Sequence, residues 1–290
     1  MIVGYLLILL NNGLGCLNTV CRKEYIKTSG RAKTALDIYV LLVHPIAAMY
    51  FFLLAGGNVP LNLPSALFAA VYAVLCLSSV IFSMTALGRV NLIYISVFSG
   101  AGGVVLPFLF DLIFQGQGLS VTRFLAVAVR LCAIIIPLMT NKEEMKNLLV
   151  CVFLFLVSGA ATIVPRLYSA YPGVVSDNSY CFWTNIFILP IATLAVLKKN
   201  SVKAVAEDMK KIPLKAYLCV FATTACSNIG SLVTLQILRM VDVSVYAVIS
   251  GSVGMLETVL LSTLVYKEKF TVRSAVSVVC SIAAVVLGVL

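Results

Sequence analysis

Apolar stretches of about 20 residues follow one another through this chain, separated by short polar connections. A helix needs about 20 apolar residues to cross a ~30 Å hydrocarbon core. Backbone in lipid must satisfy its own hydrogen bonds, so stretches of this kind are read as helices. Only 11% of the residues are charged and 61% are hydrophobic, against roughly 25% charged in an ordinary soluble domain; mean hydropathy is +1.08. These values predict an all-α integral membrane protein. The 290 residues accommodate about ten spans and leave no length for a soluble domain.

In chain order the spans are expected over Met1–Val20, Leu36–Leu54, Ala66–Leu87, Asn91–Phe114 and Val121–Met139. After Asn141-Lys142-Glu143-Glu144 a second set is expected over Leu148–Tyr168, Ser179–Leu197, Leu214–Leu235, Asp242–Val265 and Val272–Leu290. The first stretch reads as a retained span. No Lys or Arg precedes its apolar run and no small-x-small cleavage site follows it.

The second set repeats the first. With an offset of about 151 residues, Val97-Phe98-Ser99-Gly100-Ala101-Gly102-Gly103 falls on Val248-Ile249-Ser250-Gly251-Ser252-Val253-Gly254 without a gap. The domain reading is therefore a first repeat over residues 1–140 and a second over 141–290. Ser99 with Gly103, and Ser250 with Gly254, place small residues four apart, a strip on which another helix backbone can approach closely. Glycine costs about 1 kcal/mol relative to Ala inside a helix, so its recurrence at one point of both repeats predicts a shared packing need.

An odd number of spans per repeat requires the two halves to sit in opposite orientations, and the loop charges agree. Arg22, Lys23, Lys27, Arg31 and Lys33 follow the first span, whereas the corresponding loop of the second repeat, Ser169–Asn178, has no Lys or Arg. The next pair reverses: Ala55–Pro64 has none, and its counterpart carries Lys198, Lys199, Lys203, Lys210, Lys211 and Lys215. With Arg89, Lys142, Lys146, Lys267, Lys269 and Arg273 these lie on one face, and Arg123 and Arg239 on the other. The positive-inside rule makes the crowded face cytoplasmic and puts both termini outside. It also accounts for the net charge of +10 without nucleic acid, since no basic, aromatic-rich recognition surface accompanies it.

This inverted repeat of five spans with paired Ser-Gly-x-x-Gly helices resembles the drug/metabolite transporter superfamily, in its EamA-like branch. The resemblance covers nearly the whole chain. Leu106-Pro107 matches the family's proline-containing helix, and Tyr266-Lys267-Glu268-Lys269-Phe270 its acidic turn in the second repeat. Thr258 stands where the second proline is expected, and Gln117 where the first turn has Glu. The family commonly has cytoplasmic termini, opposite to the charge distribution here. The resemblance implies a central cavity lined mainly by the first, third, fourth, sixth, eighth and ninth spans.

Polar groups in lipid are costly unless they face protein or water, which independently favours a site near the midplane between the repeats. Glu257 ranks first: it lies about 15 residues into its span, or ~22 Å at 1.5 Å per residue, where an ionised carboxylate must be paired or protonated. A proton or cation site and a buried ion pair are both open for it, with Arg130 the candidate partner. Asn11, Asn12 and Asn18 in the first span, with Ser227 and Asn228 in the eighth, can hydrogen-bond a substrate or one another. His44, beside Pro45, is either a proton relay or a neutral imidazole bonded to a carbonyl. Tyr94, Tyr246 and Trp183 are candidates for stacking on a ligand, for interfacial anchoring or for packing.

The nine cysteines contain no Cys-x-x-Cys and read as free core residues. No clustered ligands for a metal are visible. Gly100-Ala101-Gly102-Gly103 lacks the Lys-Ser/Thr of a nucleotide loop, so no cofactor is expected. Two competing readings are an intramembrane enzyme, for which Glu143-Glu144 lacks a His at catalytic spacing, and a lipid-carrier flippase. The sequence thus predicts a non-enzymatic, multi-pass protein of the plasma (inner) membrane. Its partners are the bilayer and a small-molecule substrate, with no nucleic acid; whether it works as a homodimer is open. It is expected to move a small metabolite by alternating access, with Glu257 the candidate group for proton coupling.

Overall fold

The computed structural model describes residues 2–29, 34–87, 89, 92–114, 125, 128–129, 148–240, 243–261, 263, 267 and 272–289. Ten helices are described in chain order: α1 (Ile2–Ser29), α2 (Ala35–Leu54), α3 (Leu63–Leu87), α4 (Leu92–Phe114), α5 (Leu148–Ala170), α6 (Asp177–Lys199), α7 (Val202–Lys211), α8 (Leu214–Met240), α9 (Val243–Leu260) and α10 (Val272–Val289). No strand occurs among the described residues. Six helices, α1, α2, α3, α5, α6 and α8, are long and apolar enough to cross a membrane. The chain is a multi-pass, all-α membrane protein. The span expected over Val121–Met139 lies outside the described residues.

Local chemistry sets several boundaries. Ser176 caps α6 by accepting from the Ser179 backbone N–H, with Asp177 in the first turn and Lys198 and Lys199 in the last, signs that complement the helix dipole. Ser201 caps α7 in the same way, accepting from Ala204 N–H. Gly56 and Gly57 turn the chain out of α2 with φ of 61° and 79°, a region that glycine enters without steric penalty. Pro45, Pro107, Pro165 and Pro190 lie inside helices, as transmembrane helices tolerate where neighbours re-satisfy the backbone.

One boundary differs from expectation. Helix α1 runs on to Ser29, past the expected end at Val20, so Arg22, Lys23 and Lys27 are helical rather than loop residues. The extension is held by packing: Tyr25 is buried and its hydroxyl donates to the Ala35 carbonyl at 2.6 Å, while Lys215 at the start of α8 reaches Glu24 at 3.3 Å.

Helix α1 packs mainly on α8 and also on α9; α5 packs on α4 and α3; α2 packs on α6 and α8. Polar contacts show which helix ends meet. At one end of the bundle Thr34 donates to Asp208 of α7 and Lys199 pairs with Asp37. At the other, Asn62 donates to the Gly173 carbonyl, Trp183 Nε1 to the Val59 carbonyl at 3.1 Å, and Arg239 pairs with Asp177 at 2.6 Å. Consequently α1 ends where α2 begins, α6 ends and α8 begins, whereas α2, α5 and α8 end together. The apolar core among α1, α2, α6 and α8 includes Tyr25, Ile38, Tyr39, Val43, Ile188, Ala192 and Val220. Large apolar side chains such as Leu63, Leu149 and Leu194 point outward.

Candidate functional site: a polar cavity between α1 and α8

Three asparagines on α1 give the site its chemistry. Asn11, Asn18 and the intervening Gly15 share a face because four- and seven-residue spacings return to one side of a helix. A cavity of about 360 Å³ opens against that face, lined by Asn11, Asn12 and Asn18 of α1, Tyr72 of α3 and Tyr180 of α6, with Ser227, Ser231 and Thr234 of α8 opposite. Its floor is Asn18 with Ser227 and Cys226. Its upper part lies near Tyr180 and Pro165, toward the end of the bundle that carries Arg239 and Asp177.

Direct hydrogen bonds cross this space. Asn11 Nδ2 donates to Thr234 Oγ1 at 3.0 Å and to the Tyr246 hydroxyl at 3.2 Å, joining α1, α8 and α9. Asn18 Nδ2 donates to Ser227 Oγ at 2.6 Å. Asn12 Nδ2 returns to its own helix at the Ile8 carbonyl, while its Oδ1 accepts from Ser250 Oγ at 3.1 Å. Asn228, next to Ser227, is buried, and its Nδ2 has no hydrogen-bond partner among the described residues. Expected site residues from distant parts of the chain are therefore brought to one place.

Glu257 lies beside this group rather than in the cavity lining. It is half-buried on α9, close enough to act electrostatically on Cys16 of α1, and its Oε2 is buried without a hydrogen bond among the described residues. Arg130, its candidate partner, lies outside the described residues, as does the side chain of Tyr94. His44 is buried in α2 away from the cavity; its Nδ1 meets Asn185 Oδ1 at 2.9 Å, so the imidazole bonds a side-chain amide. Trp183 packs between Phe182 and Phe187.

The small-residue strips also resolve into contacts. Ser99 Oγ lies 3.0 Å from Ser158 Oγ between α4 and α5. The closest backbone approach on that seam is made by Gly102 rather than Gly103: a Cβ on Gly102 would collide with the Phe155 carbonyl, and one on Gly159 would sit 2.5 Å from the Gly102 oxygen. A Cβ on Gly103 would meet only Thr162 Oγ1, at 3.5 Å, and one on Gly254 would meet Asn12 Oδ1 at 3.0 Å. Adjacent helical residues point about 100° apart, which is why the expected contact at Gly103 shifts to its neighbour.

Sequence reasoning missed Arg22, Tyr39, Tyr72 and Tyr180. Arg22 reads as a loop charge until α1 is seen to continue. Its guanidinium turns inward, with Nε buried and without a hydrogen bond among the described residues; it lies within electrostatic reach of Tyr39, His44 and Cys76. The available signal was its spacing of four from Asn18, which continues the Asn11–Gly15–Asn18 face.

No family model and no curated protein matches this chain. A solved crystal structure of a protein covers 99% of this chain and 96% of its own length, with a TM-score of 0.66 and 15% identity. At that identity the likeness concerns the fold alone.

Proposed function

We propose that this chain is a secondary transporter that moves a small metabolite by alternating access, built from two inverted five-helix repeats as in the drug/metabolite transporter superfamily. The observation that carries the reading is the cavity itself: a polar-lined space of about 360 Å³ inside an apolar bundle, with walls from helices on both sides of the chain's midpoint. Polar surface at membrane depth is expensive unless it serves a pathway or pairs within protein, and the midplane between repeats is where transporters of this architecture hold substrate.

The helix pairing supports the repeat. α4 packs on α5 as α9 packs on α1, and α3 packs on α5 as α8 packs on α1, so each repeat's first helix is gripped by the other repeat. The serine bonds follow the same exchange, Ser99 with Ser158 and Ser250 with Asn12. The directions of α2 and α6, and of α3 and α8, are opposed, as an odd repeat demands. On this reading a tenth span falls within Val121–Met139, the basic end faces the cytoplasm with both termini outside, and the membrane is the plasma membrane. Glu257, beside Cys16 at the α1–α9 seam, is the coupling group, taking up and releasing a proton as α1 moves. The reading excludes chemistry on the substrate. A lipid-carrier flippase would share the fold and differ in cargo.

The test is a thermal-shift screen of the purified protein against amino acids, amines, sugars, nucleosides and organic acids, because a ligand of the folded state stabilises it by mass action. Each compound that stabilises is then followed into proteoliposomes. Uptake that saturates supports a transporter; a stabilising compound that never crosses the bilayer contradicts one.

A further inference from the structure

Buried polar atoms in folded proteins almost always have hydrogen-bond partners, and each exception requires an explanation. Here several of the exceptions lie in or next to the cavity. Asn18 Oδ1, Arg22 Nε, the Tyr39 hydroxyl, His44 Nε2, the Tyr180 hydroxyl, Asn228 Nδ2 and Glu257 Oε2 are buried with no hydrogen bond of good geometry among the described residues, and the Tyr39 hydroxyl stands close to both Arg22 and Thr223. Asn18 and Tyr180 line the cavity, and Asn228 adjoins Ser227 at its floor. Arg22 lies one helical turn from Asn18, toward the basic end of the bundle. Tyr72, also in the lining, is in hydrogen-bond contact with Cys76, and Arg22 acts electrostatically on that same thiol. The cation therefore stands directly behind the cavity floor.

The set holds donors and acceptors. Arg22 Nε and the Asn228 amide nitrogen can only donate and the tyrosine hydroxyls can do either, whereas Asn18 Oδ1 and Glu257 Oε2 accept, as does His44 Nε2 when Nδ1 donates to Asn185 Oδ1. Glu257 stands beside Cys16 on the α9 side of this group, whereas the acids at the bundle ends are engaged by cations. Glu24 is engaged by Lys215 and Lys27, Asp37 by Lys199, Asp208 by Lys211 and Asp177 by Arg239, all at the ends of the bundle. Arg22 makes no salt bridge among the described residues. Guanidinium is the side chain best shaped to meet a carboxylate or phosphate, and a fixed cation next to a polar cavity in an apolar surround attracts negative charge.

We propose that the cavity takes a small organic anion, with a carboxylate or phosphate head at the Asn18–Ser227 floor, Arg22 as its counter-charge and Asn228 as a donor beside it, and with the Tyr180 hydroxyl at the opposite end of the cavity. This rests on the transporter reading only for the consequence of binding; the recognition stands on the cavity and Arg22. Tyr39, close to the guanidinium, is a positioning residue for it.

The experiment measures melting-temperature shifts of the purified full chain with succinate, benzoate, phenyl phosphate and inorganic phosphate, beside the neutral succinamide and benzamide. At least one anion is expected to stabilise the wild type with a saturating dose dependence that its neutral counterpart lacks. Arg22→Gln should raise the midpoint concentration at least tenfold and Asn228→Ala by a smaller factor, while Arg22→Lys keeps part of the response. Where Arg22→Gln gives no folded protein, Arg22→Lys and Asn228→Ala carry the test, and a midpoint unchanged in both overturns the proposal. It is also overturned when no anion stabilises the wild type, when benzamide matches benzoate, or when Arg22→Gln binds like the wild type. The two readings separate in proteoliposomes: Arg22-dependent binding without uptake refutes transport and keeps the anion site, whereas saturable uptake of a neutral solute with no anion binding does the reverse.

Discussion

Asn18 Nδ2 donates to Ser227 Oγ at 2.6 Å, tying the middle of α1 to the middle of α8 at the floor of the cavity. Interhelical hydrogen bonds in membrane proteins contribute about 0.6 kcal/mol on average and up to about 1.7 kcal/mol. Asn18→Ala and Ser227→Ala should each destabilise the protein by an amount in that range, and the double variant should cost little more than either single one. Reversible unfolding in mixed micelles measures this. Fully additive losses would mean that the two side chains do not act as a pair.

The α4–α5 seam gives a sharper contrast between neighbouring positions. Gly102→Ala places a methyl against the Phe155 carbonyl and Gly159→Ala places one against the Gly102 oxygen. Backbone cannot yield as a side chain does, so each should lose at least the roughly 1 to 3 kcal/mol typical of overpacking. Gly103→Ala meets only Thr162 Oγ1 at 3.5 Å and should be neutral or stabilising, given alanine's helix propensity. The melting temperatures of the three variants decide the matter; equal losses at Gly102 and Gly103 would contradict this seam.

The sequence makes the helices legible because span length is dictated by bilayer thickness, an outside constraint that needs no knowledge of partners. It makes Asn11, Asn12, Asn18 and Ser227 legible because amides and hydroxyls stand out in apolar stretches. It misreads Arg22 because charge ordinarily ends a span, and only the packing of α1 on α8 shows that the helix continues. Tyr180 goes unnoticed for a related reason: a tyrosine three residues into a helix looks like an interfacial anchor. The short helix α7 is hidden in what reads as a basic loop, although its Ser201 cap and the spacing of Val205 and Met209 were available signals.

That short helix makes a prediction about pH. Asp208 accepts from Lys211 Nζ at 2.9 Å and from the Thr34 hydroxyl at 3.0 Å, and these bonds, that from Lys211 first, hold its carboxyl below the usual carboxylate range. A group whose pKa is lower in the folded than in the unfolded state contributes stability above its unfolded value, about 3.9 for Asp, and loses it as pH falls through the folded one. Hydrogen exchange over residues 202–211 should therefore stay slow from neutral pH to about pH 4, after correction for intrinsic rates, and accelerate below it. Asp208→Asn should already exchange faster at neutral pH. A transition centred near pH 6 would assign the effect to another group.

Glu257 is the one acid deep in a described span, and Leu106 occupies its place in the first repeat. Glu257→Gln keeps the shape and removes the titration, so the protein should fold with an unchanged melting temperature and lose uptake driven by a pH gradient. Exchange in the absence of a gradient should survive. Full gradient-driven activity in this variant would exclude Glu257 as the coupling group. A lost fold that Arg130→Met restores would instead show a structural ion pair.

Alternating access can be tested before any substrate is known, because Cys226 lines the cavity at its floor. With Cys226 as the sole cysteine in proteoliposomes of uniform orientation, a membrane-impermeant thiol reagent is supplied either outside or sealed inside, and modification is followed by mass. The account predicts that Cys226 is modified from both sides, each at a rate well above that of a lipid-facing control cysteine at Leu194. Modification from one side only would contradict alternating access and leave a static, one-sided pocket.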